Sequence, residues 1–439
     1  MVQAAVTKTS VSSDSNPSNY RAMAMVTTLF FMWGFLTSLN DILVPHLKSI
    51  FELNYTRVMF INSAFFGSYF IFAIPSGKLI ERIGYKKTMV AGLLVMALGA
   101  LLFVPAANVP SFELFLAALI VLAAGVTALQ VAANPYVTVL GPARTASSRL
   151  NLTQAFNSLG TTIAPYVGGL LILVAAPLSS SQLQELSASA LLAYRQHEAS
   201  SVKMPYIGIA LALTALALAI AMFNLPKIEA TREFRPMGDA DEAAASLWKH
   251  RQLVLGALGI FLYVGAEVAI GSFLINYFTQ PEIGNLTVKA AAGLVSLYWF
   301  CAMVGRFVGA AVLQKLPTRM VLGTVAVVAC LLVVTSMLST GWVAMASIIS
   351  VGLFNSVMFP NIFSLGVEGL GPLTGKGSGL LVMAIVGGAI IPVTEGALAD
   401  HIGIHHAFIL PALCYIYIAY YGFRGSAPTD YRLTAEPSK

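Results

Sequence analysis

Apolar stretches of bilayer length, about 20 residues each, recur near 22–47, 57–80, 88–107, 112–138, 151–175, 203–225, 251–279, 287–313, 319–338, 341–370, 378–400 and 406–424. Each predicts a membrane-crossing helix, because a bilayer core holds no water to satisfy backbone groups left outside a helix or closed barrel. Two polar segments interrupt the series. Residues 176–202 read as a surface loop holding a short helix. Residues 226–249 divide the twelve crossings into two groups of six. The predicted organisation is a tail (1–21), a six-helix bundle (22–225), a linker (226–249), a second six-helix bundle (250–424) and a tail (425–439).

Charge adds an orientation. Only 10% of residues are charged and 57% are hydrophobic, against about 25% charged in soluble domains. The net charge of +6 comes from basic residues scattered between apolar segments, which argues for topology rather than nucleic-acid binding. Placing both termini in the cytoplasm puts Lys78, Arg82, Lys86, Lys87, Arg144, Arg149, Arg306, Lys315, Arg319 and Lys376 in inside loops. Lys48, Arg57, Arg195, Lys203 and Lys289 are left outside, the expected asymmetry. The polar N-terminal segment has no signal-peptide core, so the first helix directs insertion.

Chemistry enters with the polar residues inside apolar segments. Asn40 and Asp41 lie well within the first crossing, where a carboxylate costs about 2.5–3.5 kcal/mol on insertion scales. Such a cost calls for a proton, an ion or a polar ligand. Glu267 poses the same question in the seventh crossing, in LYVGAEVAIGSFL. Gln130 and Asn134 share a helix face, and Asn151, Gln154 and Asn157 climb another at three-residue steps. Amides suit sugars, since each offers a donor and an acceptor to vicinal hydroxyls. Trp33, Tyr298 and Trp299 lie deep enough to stack on a sugar ring, while Glu368, Glu395 and Asp400 read as helix-end or gate charges. Cys301, Cys330 and Cys414 read as packing residues without metal or disulfide spacing. His46, His197, His250, His401, His405 and His406 form no catalytic or metal-binding constellation. No enzyme activity, metal or cofactor is expected, and no soluble signalling domain points to a sensor.

The halves are related. Aligning Pro135 of NPYVTVLGP with Pro360 of FPNIFSLGVEGLGP also aligns Leu140 with Leu365 and Gly141 with Gly366. It makes Asn355 the counterpart of Gln130. Repeated six-helix halves are a transporter signature, with the site at the midplane between them.

A loop motif narrows the class. Gly77 to Lys87 reads GKLIERIGYKK and resembles the loop motif of the major facilitator superfamily. Gly77 permits close helix approach, Glu81 suits a helix N-terminus in the other half, Gly84 follows, and Arg82, Lys86 and Lys87 can pair with acids to hold the cytoplasmic side shut. Gly305 to Arg319 resembles its degenerate copy. LNDILVPHL, LQVAANPYVTVLGP, RLNLTQAFNSLG and FPNIFSLGVEGLG further resemble the fucose:proton symporter family, especially its glucose/galactose-type branch.

That resemblance implies an all-α integral membrane fold of twelve transmembrane helices in two pseudo-symmetric six-helix bundles. It also implies alternating access and monosaccharide uptake coupled to protons or sodium, in a bacterial-type inner membrane. The fucose symporters carry a glutamate where this chain has Gln130, and an amide where it has Glu267, which argues against L-fucose as substrate. The expected site is Asn40, Gln130, Asn134, Asn157, Glu267, Asn355 and Trp299 for the sugar, with Asp41 and Glu267 as coupling candidates. The expected partners are a sugar, a coupling cation (H⁺ or Na⁺) and the bilayer, with the protein acting as a monomer. Glucose and galactose lead, with N-acetylglucosamine, mannose or a disaccharide as alternatives.

Overall fold

The computed structural model describes residues 17–51, 55–108, 111–172, 203–226 and 247–427, with a few positions between 186 and 194. Side chains are described there except at 17–19, 37, 39–51, 55–60, 62–63, 108 and 165–172. Every regular element among these residues is a helix. The first is α1 (Pro17–Phe51). The run Tyr55–Asn108 breaks at Gly84, whose φ of 80° and ψ of 168° suit a residue without a Cβ. The break divides it into α2 before and α3 after. The other helices of the first half are α4 (Phe112–Val139), α5 (Ala146–Ile172) and α6 (Lys203–Met222). The second half has α7 (Arg251–Phe278), α8 (Val288–Val312), α9 (Thr318–Leu338), α10 (Gly341–Gly366), α11 (Gly371–Ile402) and α12 (Ile404–Gly425). Nine runs among the described residues are long and apolar enough to cross a membrane. With one of them divided at Gly84, and α1 and α5 beside them, the helices form two bundles of six.

Two prolines leave backbone carbonyls without their helical donors. Proline lacks an N–H and clashes with the carbonyl four residues back. In α10 the break falls between Asn355 and Met358, just before Pro360, and the orphaned carbonyl belongs to Ser356. In α4 Pro135 orphans the carbonyl of Val131 without interrupting the helix. Both carbonyls find side-chain donors. Ser378 Oγ of α11 donates to Val131 O at 2.7 Å, and Arg306 Nε of α8 donates to Ser356 O at 3.2 Å. This is how membrane helices tolerate proline.

Lipid is as apolar as a leucine side chain, so helix association relies on close contact at small residues. A Cβ on Gly160 of α5 would strike the Phe31 and Phe35 backbone of α1, and one on Gly34 would strike Asn157. The two bundles meet along two seams, α2 against α11 and α5 against α8 and α10.

One expectation is overturned. Arg306, read as an inside-loop residue, lies within α8, six residues before its end at Val312. Phe307 to Leu313 are apolar or glycine, so the chain needs nearly two more turns before the Gln314–Lys315 turn. The 176–202 loop, apart from those few positions, and residues 227–246 of the linker lie outside the described residues. Asn40 and Asp41 belong to α1, but their side chains lie outside them as well.

Gly160→Val should lower thermal stability in detergent by about 1–3 kcal/mol, the usual cost of overpacking. Gly208→Val, where nothing stands within 4 Å of the new Cβ, should leave it unchanged. Equal melting temperatures for the two variants would show that the α1–α5 contact is not tight.

Candidate functional site

Charged and phenolic groups from α7 and α8 gather where α8 packs against α5 of the first bundle. Tyr263 Oη donates to Glu267 Oε1 at 2.7 Å, one turn away on α7. Arg306 Nη2 stands 3.9 Å from the same carboxylate oxygen, and both side chains are only 15% exposed. Arg306 Nη1 donates across the bundle boundary to Ser158 Oγ of α5. With its bond to Ser356 O, the guanidinium therefore touches three helices besides its own. An intramembrane charge is expensive unless paired and hydrogen-bonded, and here cation and anion meet both conditions together.

Amide–phenol pairs flank this cluster symmetrically. In the first bundle Gln130 Nε2 of α4 donates to Tyr69 Oη of α2 at 2.7 Å. In the second, Asn355 Nδ2 of α10 donates to Tyr298 Oη of α8 at 3.3 Å. The aligned amides thus hold phenols on equivalent helices. Asn134 accepts from Gln154 Nε2 at 3.5 Å, and Asn157 Nδ2 donates to Phe30 O of α1 at 2.9 Å. Asn134 Nδ2 and Asn355 Oδ1 are buried without a partner.

Helical spacing places the remaining residues. Trp299 is 43% exposed, and a Cβ on Gly271 of α7 would touch its ring at 3.1 Å. Trp299 lies seven residues from Arg306 on α8, and Gly271 four from Glu267 on α7, so the indole stands over the face that carries the ion pair. Tyr298 is turned into the bundle and fully buried. Asp41 lies seven residues along α1 from Gly34, about 10 Å at 1.5 Å per residue. Glu395, expected as a helix-end or gate charge, is 1% exposed with neither carboxylate oxygen hydrogen-bonded. Glu368 pairs with Arg319 at 3.4 Å.

Below the cluster, at the end carrying the Gly77–Lys87 loop, both seams are closed. On the α2–α11 side a Cβ at Gly77 would sit 3.0 Å from Gly375 O, and Glu81 Oε1 pairs with Lys376 Nζ at 3.1 Å in the first turn of the helix Thr374–Met383. Lys86 Nζ donates to Ala221 O at 2.8 Å, within its own bundle. Arg82, Lys86 and Lys87 form no ion pair among the described residues. On the α5 side Ser147 Oγ and Ser364 Oγ are 2.5 Å apart, Thr318 Oγ1 donates to Ser147 Oγ at 2.9 Å and Ser148 Oγ donates to Ala310 O at 2.6 Å. Asn151 Nδ2 donates to Asn361 Oδ1 at 2.9 Å.

The profile of the Major Facilitator Superfamily matches residues 25–392. A glucose/galactose transporter of Brucella abortus is 51% identical over 413 residues, covering 94% of this chain and 96% of that protein. The L-fucose-proton symporter of Escherichia coli K12 is 36% identical over 411 residues, covering 93% and 94%. The chain belongs to the Major Facilitator Superfamily, within its fucose:proton symporter family. A crystal structure of the superfamily transporter FucP in the outward conformation aligns with a TM-score of 0.88 at 36% identity, covering 94% of this chain and 100% of that one.

Within this superfamily fold the sequence pattern singled out the amides and Glu267 as candidates but not Arg306, Tyr263, Tyr69 and Ser158, which the structure places against them. The seven apolar or glycine residues after Arg306 were the available signal for the first. Nothing in the sequence marked Ser158, whose partner lies 148 residues away.

The hydroxyl contact on the α5 seam gives a direct check. In a background lacking the three native cysteines, Ser147→Cys with Ser364→Cys should form a disulfide under mild oxidation. Transport should then fall at least about tenfold and recover on reduction. Full activity of the crosslinked protein would show that this seam need not open.

Proposed function

We propose that this protein is a secondary active sugar symporter that takes up a glucose/galactose-type hexose with a proton. The Glu267–Arg306–Tyr263 cluster between the bundles carries this reading. A buried ion pair beside a phenol and facing amides supplies fixed donors and acceptors for hydroxyls, and the indole of Trp299 offers a face for sugar C–H groups. The named relatives transport glucose and galactose or L-fucose, and the Gln130 and Glu267 exchange favours the former. The protein acts as a monomer in a bacterial-type inner membrane, without covalent chemistry on its substrate. The unit boundaries are those of residues 22–225 and 250–424, joined by the 226–249 linker.

The closed end is the cytoplasmic one in this reading, because its loops carry Lys78, Arg82, Lys86, Lys87, Arg144 and Arg319. The state is then outward-facing, consistent with the alignment to FucP in that conformation. A sugar enters from outside, binds above Arg306, and the bundles rock about it.

The coupling role falls to Asp41. Glu267 already has a cation at 3.9 Å and a phenol donor at 2.7 Å, so it serves as an acceptor for sugar hydroxyls. Asn40, Gln130, Asn134, Asn157 and Asn355 supply further amides, although Gln130, Asn157 and Asn355 each commit an amide hydrogen within the protein. Protonation of Asp41 raises the sugar's affinity in the outward state, which is what ties the two fluxes together.

Uptake of labelled glucose into proteoliposomes, with an inward proton gradient, with Na⁺, and against unlabelled competitors, tests this reading. Glucose and galactose should compete best, and the proton gradient should drive accumulation. Asp41→Asn should abolish accumulation while leaving counterflow exchange. Glu267→Gln should weaken apparent affinity about 10- to 100-fold, as for the loss of a hydrogen bond to a charged acceptor, and keep accumulation at saturating sugar. Accumulation by the Asp41 variant, or preference for a non-sugar substrate, would sink the assignment.

A further inference from the structure

Arg306 is held more completely than a packing residue needs to be. Its Nε takes the Ser356 carbonyl that Pro360 orphans, its Nη1 reaches Ser158 of the opposite bundle, and its Nη2 stands 3.9 Å from Glu267. We propose that Arg306 is the resident counter-cation of the sugar site: it permanently supplies the positive charge that a transported ion would otherwise have to bring to Glu267. It is a positioning residue that acts through Glu267. Cation coupling is thereby confined to another carboxyl, and the bond to Ser158 links this compensation to the joined floor between α5 and α8.

The surroundings leave that task to Arg306. The titratable groups around Glu267 are Tyr263 on its own helix, Tyr298 on α8 and Tyr415 on α12. These phenols carry no positive charge in any state. Among the described residues, the groups that α5 and α10 bring to this cluster, Ser158, Ser356 and Asn355, are neutral. The other interior carboxyl of this bundle, Glu395 on α11, interacts with Cys414 of α12. Arg306 is therefore the one cation paired with Glu267 among the described residues.

Without Arg306, Glu267 must find a proton or metal cation, because an unpaired carboxylate inside the protein is strongly destabilising. The cost exists only while the group is ionised, so Arg306→Met should lose stability relative to wild type as pH rises. The transport consequence rests on the sugar-symporter reading, whereas the stability consequence does not.

The test measures thermal unfolding in detergent from about pH 5.5 to 8, a range spanning carboxylates raised by burial, for wild type, Arg306→Met, Arg306→Lys and the double variant Arg306→Met with Glu267→Gln. Arg306→Met should melt progressively lower than wild type as pH rises. Arg306→Lys, which keeps the charge, and the double variant, which removes the carboxylate, should run parallel to wild type. Binding of unlabelled glucose should show the same split, with the affinity of Arg306→Met relative to wild type changing at least about tenfold across the range and that of the other two variants keeping a constant ratio to wild type. A pH-parallel Arg306→Met, or a double variant that keeps the slope, overturns the proposal. If Arg306→Met cannot be purified, the same slope in Arg306→Lys overturns it, and a parallel Arg306→Lys with a stable double variant supports it. If wild type transports no sugar, the symporter reading fails, while the unfolding series still decides the role of Arg306.

Discussion

One guanidinium within the helical span joins elements that the chain keeps far apart. Arg306 contacts α5, α7 and α10 from α8, and each contact answers a different shortage. Pro360 leaves a carbonyl without its donor, Glu267 needs a counter-charge, and the two bundles need a polar contact where they meet. In a medium without water these needs cannot be met by solvent, so they are met by one another. The charge that looks most expensive is thus the one that makes several other features tolerable.

The same logic recurs at lower cost around the pseudo-symmetry axis. Pro135 frees Val131 O, and a serine from the opposite bundle takes it. Gln130 and Asn355 each hold a tyrosine on the equivalent neighbouring helix. The halves differ in chemistry while sharing this frame: the carbonyl freed by proline is met by a hydroxyl in the first and by a cation in the second. This difference concentrates charge on the α7–α8 side of the cavity and leaves amides on the other.

The closed end relies on two unlike seams. Between α2 and α11, glycines allow backbone approach and Glu81 meets Lys376. Between α5 and its partners, buried hydroxyls and paired amides do the work, with Ser147 bonded to both Ser364 and Thr318. Hydroxyl contacts are individually modest, about 1 kcal/mol each, so such a seam can hold one state and still release it.

The sequence by itself determined the crossings, the division into halves, the superfamily loop and the polar positions that interrupt apolar helices. Each is a local property: hydrophobic length, charge asymmetry and the spacing of Gly77, Glu81 and Gly84 need no tertiary contact to be read. It also exposed Glu267 as a cost without showing what offsets it. Tertiary structure decided that Arg306 belongs to a helix interior, that Glu267 has a resident cation, and that Ser158, Ser356 and Tyr263 complete the cluster. Tyr263 lies one turn from Glu267, but the other partners meet across separations of 39 to 148 residues. Such pairings arise only when helices pack, because the bilayer sets the length of each helix while the need to satisfy buried charge and orphaned carbonyls sets which faces meet.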